Sequence, residues 1–518
     1  MMDRCRTTVR RGLGLVAAAS LVVAACGGSE GSAADEAPPS ASTSAPDTEQ
    51  VPETEEDEDA AEPAGSVEGE LSGASVRLEV APLVHTDDGT VLTASLTVLD
   101  APSGETVTLG DTMAARDGAG GRHTLSDVRL FAPSTGLLAS PATVGGEPAT
   151  TSTSGAPSLG EGDTAGLRVV FPTLPDDVEQ VDVLWPMLGV VADVPVEEGD
   201  VAELAAFGEE EARDVEADGA TGEASPVVAR TSELDGAVRT EQAPAQTLVV
   251  LAADVLFALD SAELSPEAQA ALARAAAQVQ AAGPGPVRIT GHTDDQGSDD
   301  YNLDLSTRRA DAVAAALADV LPPAEFPPQV EGRGEAEPAV EDTTEEARAA
   351  NRRVELLVER SQDDAPAADA SDLPPGGGPT APGDEGLVLE QSDGSRLRVA
   401  AEGATEQGDW LRIDLVATVE DAGPDGSTDL LVDLRDVGLG RQRADASGIG
   451  VLDGSVLLLP AVAADGTCAC ANTLFGVSAI EGAQRRFSVW VGAPARTPDT
   501  VTVQLPAEQG RLLDVPVG

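Results

Sequence analysis

The chain has 518 residues, room for about three domains of ordinary size, and 91 acidic residues against 31 basic ones give it a net charge of −60. All of the basic residues are arginine; there is no lysine. Such a charge repels the phosphates of nucleic acid and offers no polybasic patch to an anionic membrane, so neither is an expected partner.

At the amino end, residues 1–11 carry four arginines and one acid, and residues 13–25 form an apolar run too short to span a bilayer. The pattern predicts a signal peptide over 1–26 rather than a transmembrane helix. Val23-Ala24-Ala25-Cys26 reads as a lipobox, which makes Cys26 the lipidated first residue of the mature chain and its attachment to a membrane. Arg10-Arg11 also fits twin-arginine export, but any positively charged leader can carry such a pair. Residues 27–65 hold twelve acids and no basic residue among Pro, Ser, Thr and Ala. They cannot bury enough apolar surface to fold and are expected to be a disordered acidic tether, about 35 Å across as a flexible coil.

Residues 66–201 and 386–518 carry matching landmarks. The first block has short alternating runs at 75–80, 91–99 and 181–185 and closes on Asp193-Val194-Pro195-Val196. The second has them at 395–399, 411–419 and 503–506 and closes on Asp514-Val515-Pro516-Val517. Alternation broken by Gly, Pro and Asp turns predicts two all-β antiparallel sandwiches, one repeating the other. They are similar to immunoglobulin-like domains at the level of fold alone, which assigns no function. An acidic linker is expected over 202–244, and a Pro/Gly/Asp-rich linker over 361–385.

The central block, 245–360, reads as alternating α and β. A strand is expected over 248–257, a helix from Ser265-Pro266-Glu267 to about 282, a strand over 287–290 and a helix over 301–321 stopped by Pro322-Pro323. A strand near 329–332, a short helix near 344–350 and a strand over 353–359 complete it. Asn302, Leu305, Ser306, Arg309, Ala310 and Val313 follow the pattern Asn-x-x-Leu-Ser-x-x-Arg-Ala-x-x-Val. With the preceding Gly291-His292-Thr293-Asp294, and with Val255-Leu256-Phe257 and Asn351-Arg352-Arg353 at the two ends, the block resembles the OmpA-like domain family, which includes peptidoglycan-associated lipoproteins. It departs from the family pattern at Arg333, where an aromatic is common, and at Ala347, where glycine is usual. The fold class expected is therefore multidomain: a central α/β (α+β) OmpA-like domain between two all-β blocks, joined by disordered acidic linkers.

The chemistry can be read beside the resemblance. Asn302, Leu305, Ser306, Arg309 and Val313 share one helical face, and Asp294 ends the strand before that helix, where α/β domains build ligand sites. A guanidinium near a carboxylate suits a zwitterion, Arg309 forking onto a carboxylate and Asp294 accepting from an ammonium. The same two residues can instead form an internal salt bridge. The resemblance implies the first arrangement: non-covalent binding of peptidoglycan through the diaminopimelate of its stem peptide, with Asp294 and Arg309 as anchors and with Asn302, Leu305, Leu259 and Asp260 around them. Asn302 is expected to brace the loop, Arg308 to be solvated, His292 to brace the strand end, and Arg352 and Arg353 to be structural. The acidic loop 294–300 lacks the glycine spacing and terminal glutamate of a calcium loop.

Cys468 and Cys470 are the candidate disulfide pair of an exported protein. The scattered histidines supply no zinc set, so no metal or cofactor is expected. No nucleophile elbow, His-Glu-x-x-His or Cys–His pair marks an enzyme. The sequence thus predicts an extracytoplasmic, lipid-anchored protein of the cell envelope that ties membrane to wall. Its anchor lies in the outer membrane where the cell has one, and otherwise on the outer face of the cytoplasmic membrane. The alternative is an envelope scaffold whose β-blocks bind other envelope proteins while wall binding only positions them.

Overall fold

The structure is a computed structural model that describes residues 63–518 apart from 72, 102–105, 109–114, 117–122, 152–157, 200, 202–218, 244–245, 360–377, 392–393, 424–445, 471–480, 495 and 507–508. The expected signal peptide, Cys26 and nearly all of the tether lie outside the described residues. Among those residues, no helix is long and apolar enough to cross a membrane.

In the first block, strands Gly65–Leu71, Ala74–Val80, Gly89–Asp100 and Thr164–Phe171 pair antiparallel in that order. Their inward residues (Leu71, Val76, Leu78, Leu96) share a core with Leu130, Val181 and Val183 of a second sheet. That sheet runs Leu137–Ala139, Arg129–Ala132, Gln180–Trp185, Gly189–Glu198. The alternation read from the sequence is the burial alternation of these strands, one face in the core and one toward water.

The second block repeats the plan. Leu387–Glu390, Arg396–Gln407, Trp410–Asp421 and Gln484–Gly492 face Val456–Ala463, Gly450–Asp453, Thr500–Leu505 and Gly510–Pro516 across a second core. The closing hairpins agree in detail. Val181↔Val194 and Val183↔Val191 are separated by a register break, and so are Val501↔Val515 and Val503↔Leu512. At each break an aspartate, Asp193 or Asp514, takes the same left-handed φ of 55°, a conformation that Asp tolerates better than most side chains. The blocks are not purely antiparallel as expected. Gly189–Glu198 runs parallel to Leu83–Thr86, Gly510–Pro516 runs parallel to Thr380–Pro382, and Val517, just past that strand, makes a parallel bridge with Ala404. The last strand of each block crosses from one sheet to the edge of the other.

The two blocks meet directly. Phe131 and Leu184 of the first bury against Trp410 and Trp490 of the second, with Phe131 edge-on to Trp410 at 5.6 Å. Cys468 and Cys470 are joined at a Cα–Cα distance of 5.1 Å, both buried in the second block's core, while Ala469 between them faces the other block.

The central domain is a four-stranded sheet in the order Gln246–Ala252, Arg353–Glu359, Val287–His292, Pro328–Gly334, antiparallel except for the last, parallel pair. Helices Ala268–Ala281 and Asp299–Leu317 bury Ala271, Ala275, Val279, Ala310 and Val313 against it. The first strand ends at Ala252, earlier than expected, because Ala253–Leu256 turns into one helical turn. The expected acidic linker also needs correction. Within it, Ser225–Glu233 and Val238–Ala243 are strands, since Val and Thr at alternate positions find sheet edges to pair with. The later linker likewise contains strand Thr380–Pro382.

Candidate functional site

Two glycines fix where the helix that carries the motif lies. A Cβ at Gly291 would collide with the Ser306 carbonyl, and one at Gly332 with Thr307, so helix Asp299–Leu317 rests on bare backbone of two strands. Ser298 caps that helix by accepting from the Tyr301 amide, and Asp299 and Asp300 in its first turn suit the helix dipole. Its buried face holds Asn302, Leu305, Ser306, Arg309, Ala310 and Val313.

These residues divide into two kinds. Asn302 is buried and its Nδ2 donates to the Asp294 carbonyl (3.3 Å) and to Glu335, bracing the loop as expected. Ser306 Oγ accepts from the Gly334 amide at 2.9 Å. Leu305 and Arg309, together with Asn302, line a cleft of about 560 Å³ at the carboxyl end of strand Val287–His292, with Asp254, Asp294, Tyr301 and Arg352 among its other walls. Leu259, 87% exposed, and Asp260, with a left-handed φ of 55°, form its lip. The cleft therefore brings together all six residues that the sequence assigned to the site.

Asp294 and Arg309 are engaged separately within it. Asp294 accepts at Oδ2 from Arg352 Nη1 at 2.8 Å, and at Oδ1 from the Gln296 amide at 3.2 Å. Arg352, read from the sequence as structural, also lines the cleft, which the sequence reading did not foresee. It also holds Asp254 (2.7 Å) and Glu345 (3.0 Å). Asp254 above all, then Asp294 and Glu345, keep its guanidinium firmly protonated, above the ordinary arginine range, against a lowering by partial burial. Its place gave no signal of this: Asp294 follows the carboxyl end of a strand, where α/β domains build sites, whereas Arg352 precedes the start of one.

Arg309 is treated differently. It is 4% exposed, its Nε donates to the Ser261 carbonyl at 3.0 Å, and its guanidinium lies 5.3 Å over the Phe257 ring. Burial pulls its pKa down, opposed by the charges of Asp254, Asp260 and Asp294. Among the described residues no carboxylate forms a salt bridge with it. The internal Asp294–Arg309 bridge that the sequence left open is not made.

Behind the cleft, His292 is 1% exposed with Nε2 3.6 Å from Glu355, whose other oxygen accepts from Arg353 Nε at 2.7 Å. Burial pushes the Glu355 carboxyl up, but His292 and Arg353 outweigh it and hold the pKa at about 2. Arg308 points outward and pairs with Asp304 one turn away. Among the described residues, no cluster of three His, Cys, Asp or Glu side chains could hold a metal ion.

Chemically, the cleft offers one planar cation without a carboxylate partner and several carboxylates. Arg309 can take a carboxylate in a two-point fork. Asp294 and Asp260 can accept from an ammonium, since a carboxylate has about four lone-pair sites and Asp294 uses only two.

The OmpA family profile matches residues 256–352. The region is similar to the outer-membrane lipoprotein YfiB of Pseudomonas aeruginosa, 35% identical over 109 residues, which is 21% of this chain and 64% of that protein. It is also similar to outer membrane protein A of Bordetella avium, 36% identical over 121 residues, covering 23% and 61%. In both cases the chain spans less than two thirds of the curated relative. Among solved structures, the cell wall anchor of the T6SS from Pseudomonas aeruginosa aligns at 35% identity over 24% of this chain and 89% of that one, with a TM-score of 0.22.

Proposed function

From an OmpA-family domain at residues 256–352, we propose that this protein is a lipid-anchored component of the cell envelope that binds peptidoglycan non-covalently. The ligand group is the diaminopimelate of the stem peptide, whose free end carries a carboxylate and an ammonium on one carbon. Arg309 forks onto the carboxylate, and Asp294, with Asp260 at the lip, accepts from the ammonium. Asn302 holds the Asp294 loop in place, and Leu305 and Leu259 cover the ligand's aliphatic chain. Cys26 carries the lipid, so the protein ties a membrane to the wall by binding alone, with no bond made or broken.

The observation that carries this reading is Arg309 itself. A buried cation normally has a carboxylate against it, because an unpaired buried charge is costly. Arg309 has only a carbonyl and an aromatic face in the described structure, and it faces a cleft. The relative YfiB is named an outer-membrane lipoprotein, which supports the envelope location. Co-sedimentation of the full chain with purified sacculi tests the reading: the parent should pellet with them, Arg309→Ala should stay in solution with its circular dichroism unchanged, and equal pelleting of the two would end the assignment.

A further inference from the structure

The segment expected to be a spacer between the first block and the central domain makes more inter-domain contact than any linker would. Ser225–Glu233 and Val238–Ala243 form a hairpin. Ser225 and Pro226 pair with Leu138 and Leu137 of the first block. From Val227 to Glu233 the same strand pairs with Val456–Ala463 of the second block. Val238–Ala243 pairs along its whole length with Gln246–Ala252 of the central domain.

Side chains follow the backbone. Ala224 packs on the first core and Val228 on the second, Val227 enters the cluster between the two blocks, and Ala237 and Val238 are buried in the core of the central domain. The turn is pinned as well: Arg274 of helix Ala268–Ala281 reaches Glu233 at 3.0 Å and Asp235 at 2.7 Å.

We propose that residues 224–243 are an internal splint that makes the central domain and the two β-blocks one rigid body, so that whatever the cleft holds is carried in a fixed orientation by the β-pair. Domains joined by flexible linkers reorient freely unless their interface is large; a shared sheet removes that freedom, because reorientation must break ladder hydrogen bonds. Without the hairpin, Gln246–Ala252 would be an open sheet edge, a liability for stray pairing. The route from splint to cleft is short. Gln246–Ala252 runs into Asp254, which holds Arg352, and Arg352 leads into Arg353–Glu359, the pairing partner of Gln246–Ala252. The coupling does not depend on the identity of the ligand.

Hydrogen exchange of the full chain, read by mass spectrometry, tests the splint. Amides of 227–232 and 238–243 should exchange at least about 100-fold more slowly than in an unstructured peptide, as ladder amides do; exchange at peptide rates would overturn the proposal. Thr231→Pro breaks the ladder in mid-strand. It should speed exchange at least about tenfold in both 246–252 and 456–463 while leaving 89–100 unchanged, and parent rates in those two strands would also overturn it. Should that variant fail to fold, Arg274→Ala, which removes only the two ion pairs at the turn, should raise exchange at 238–243 about threefold, the scale of losing two weak surface ion pairs. No change there would count against the splint.

Discussion

Arg309 and Arg352 line the same cleft and are used in opposite ways. Arg352 is saturated: Asp254, Asp294 and Glu345 all accept from it, so its charge is consumed in joining the start of one strand to the end of another. Arg309 is the more buried of the two, yet it has one backbone acceptor and a ring beneath it. The contrast teaches that proximity to a cleft does not make a charge functional. What matters is whether the fold has already satisfied it. One side of the cleft is a closed ion network that builds the wall; the other is a buried cation to which no carboxylate of the described residues is bridged.

The largest expected effect lies on the open side. Truncating one partner of an enclosed charge pair typically costs about 2–5 kcal/mol, so Arg309→Ala should weaken binding roughly 30-fold to several thousand-fold. Its unfolding free energy should change by only about 1 kcal/mol, the scale of one hydrogen bond. Arg309→Lys should fall between parent and Ala in a sacculus binding curve, because a point charge cannot reproduce the planar fork. Equal binding by Lys and Arg would mean that the site reads charge and not geometry.

The closed side should respond in the opposite sense. Arg352→Ala should lower stability by about 2 kcal/mol in urea unfolding, less than the 3–5 typical of a fully buried pair, because Asp254 and Glu345 are open to water. Were Arg352→Ala as stable as the parent, the division between wall and ligand cation would collapse.

The smallest effect concerns Glu355, behind that wall. Its folded pKa of about 2 lies below the unfolded value of about 4.3. Its contribution is therefore fully present above about pH 5 and is lost as pH falls through 4 toward 2. The full shift converts to about 3 kcal/mol, and solvent access reduces that to about 1. Glu355→Gln should flatten the fall in stability between pH 5 and 2 relative to the parent, and parallel curves would show that the His292–Glu355–Arg353 network contributes nothing.

The surroundings of Arg309 were legible in the sequence, and the ion network of Arg352 was not, apart from Asp294. Asn302, Leu305, Ser306 and Arg309 announce themselves by helical spacing, and Asp294 by its place at a strand end. Arg352 lies 58 residues from Asp294 along the chain, and only the antiparallel return of Arg353–Glu359 beside Val287–His292 brings the two together. The hairpin at 225–243 was hidden for a similar reason. Its strands bury few side chains apiece and sit in an acidic stretch, so composition alone marks them as spacer; the outer partner of the first strand, Val456–Ala463, lies more than two hundred residues away. The landmarks of the two β-blocks could be matched by eye because each Asp-Val-Pro-Val closes a hairpin with a bulge that needs that aspartate's conformation.

The most direct test of the ligand assignment pairs a change in the protein with a change in the ligand. Soluble muropeptides with diaminopimelate or with lysine at the third stem position share the ammonium and differ in the second carboxylate, the group assigned to Arg309. Titration of the full chain should show the parent binding the diaminopimelate form at least about 30-fold more tightly, the low end of the range for losing one partner of an enclosed charge pair. Arg309→Ala should bind both forms weakly and alike. A parent that does not discriminate, or an Arg309→Ala variant that still does, would contradict the account.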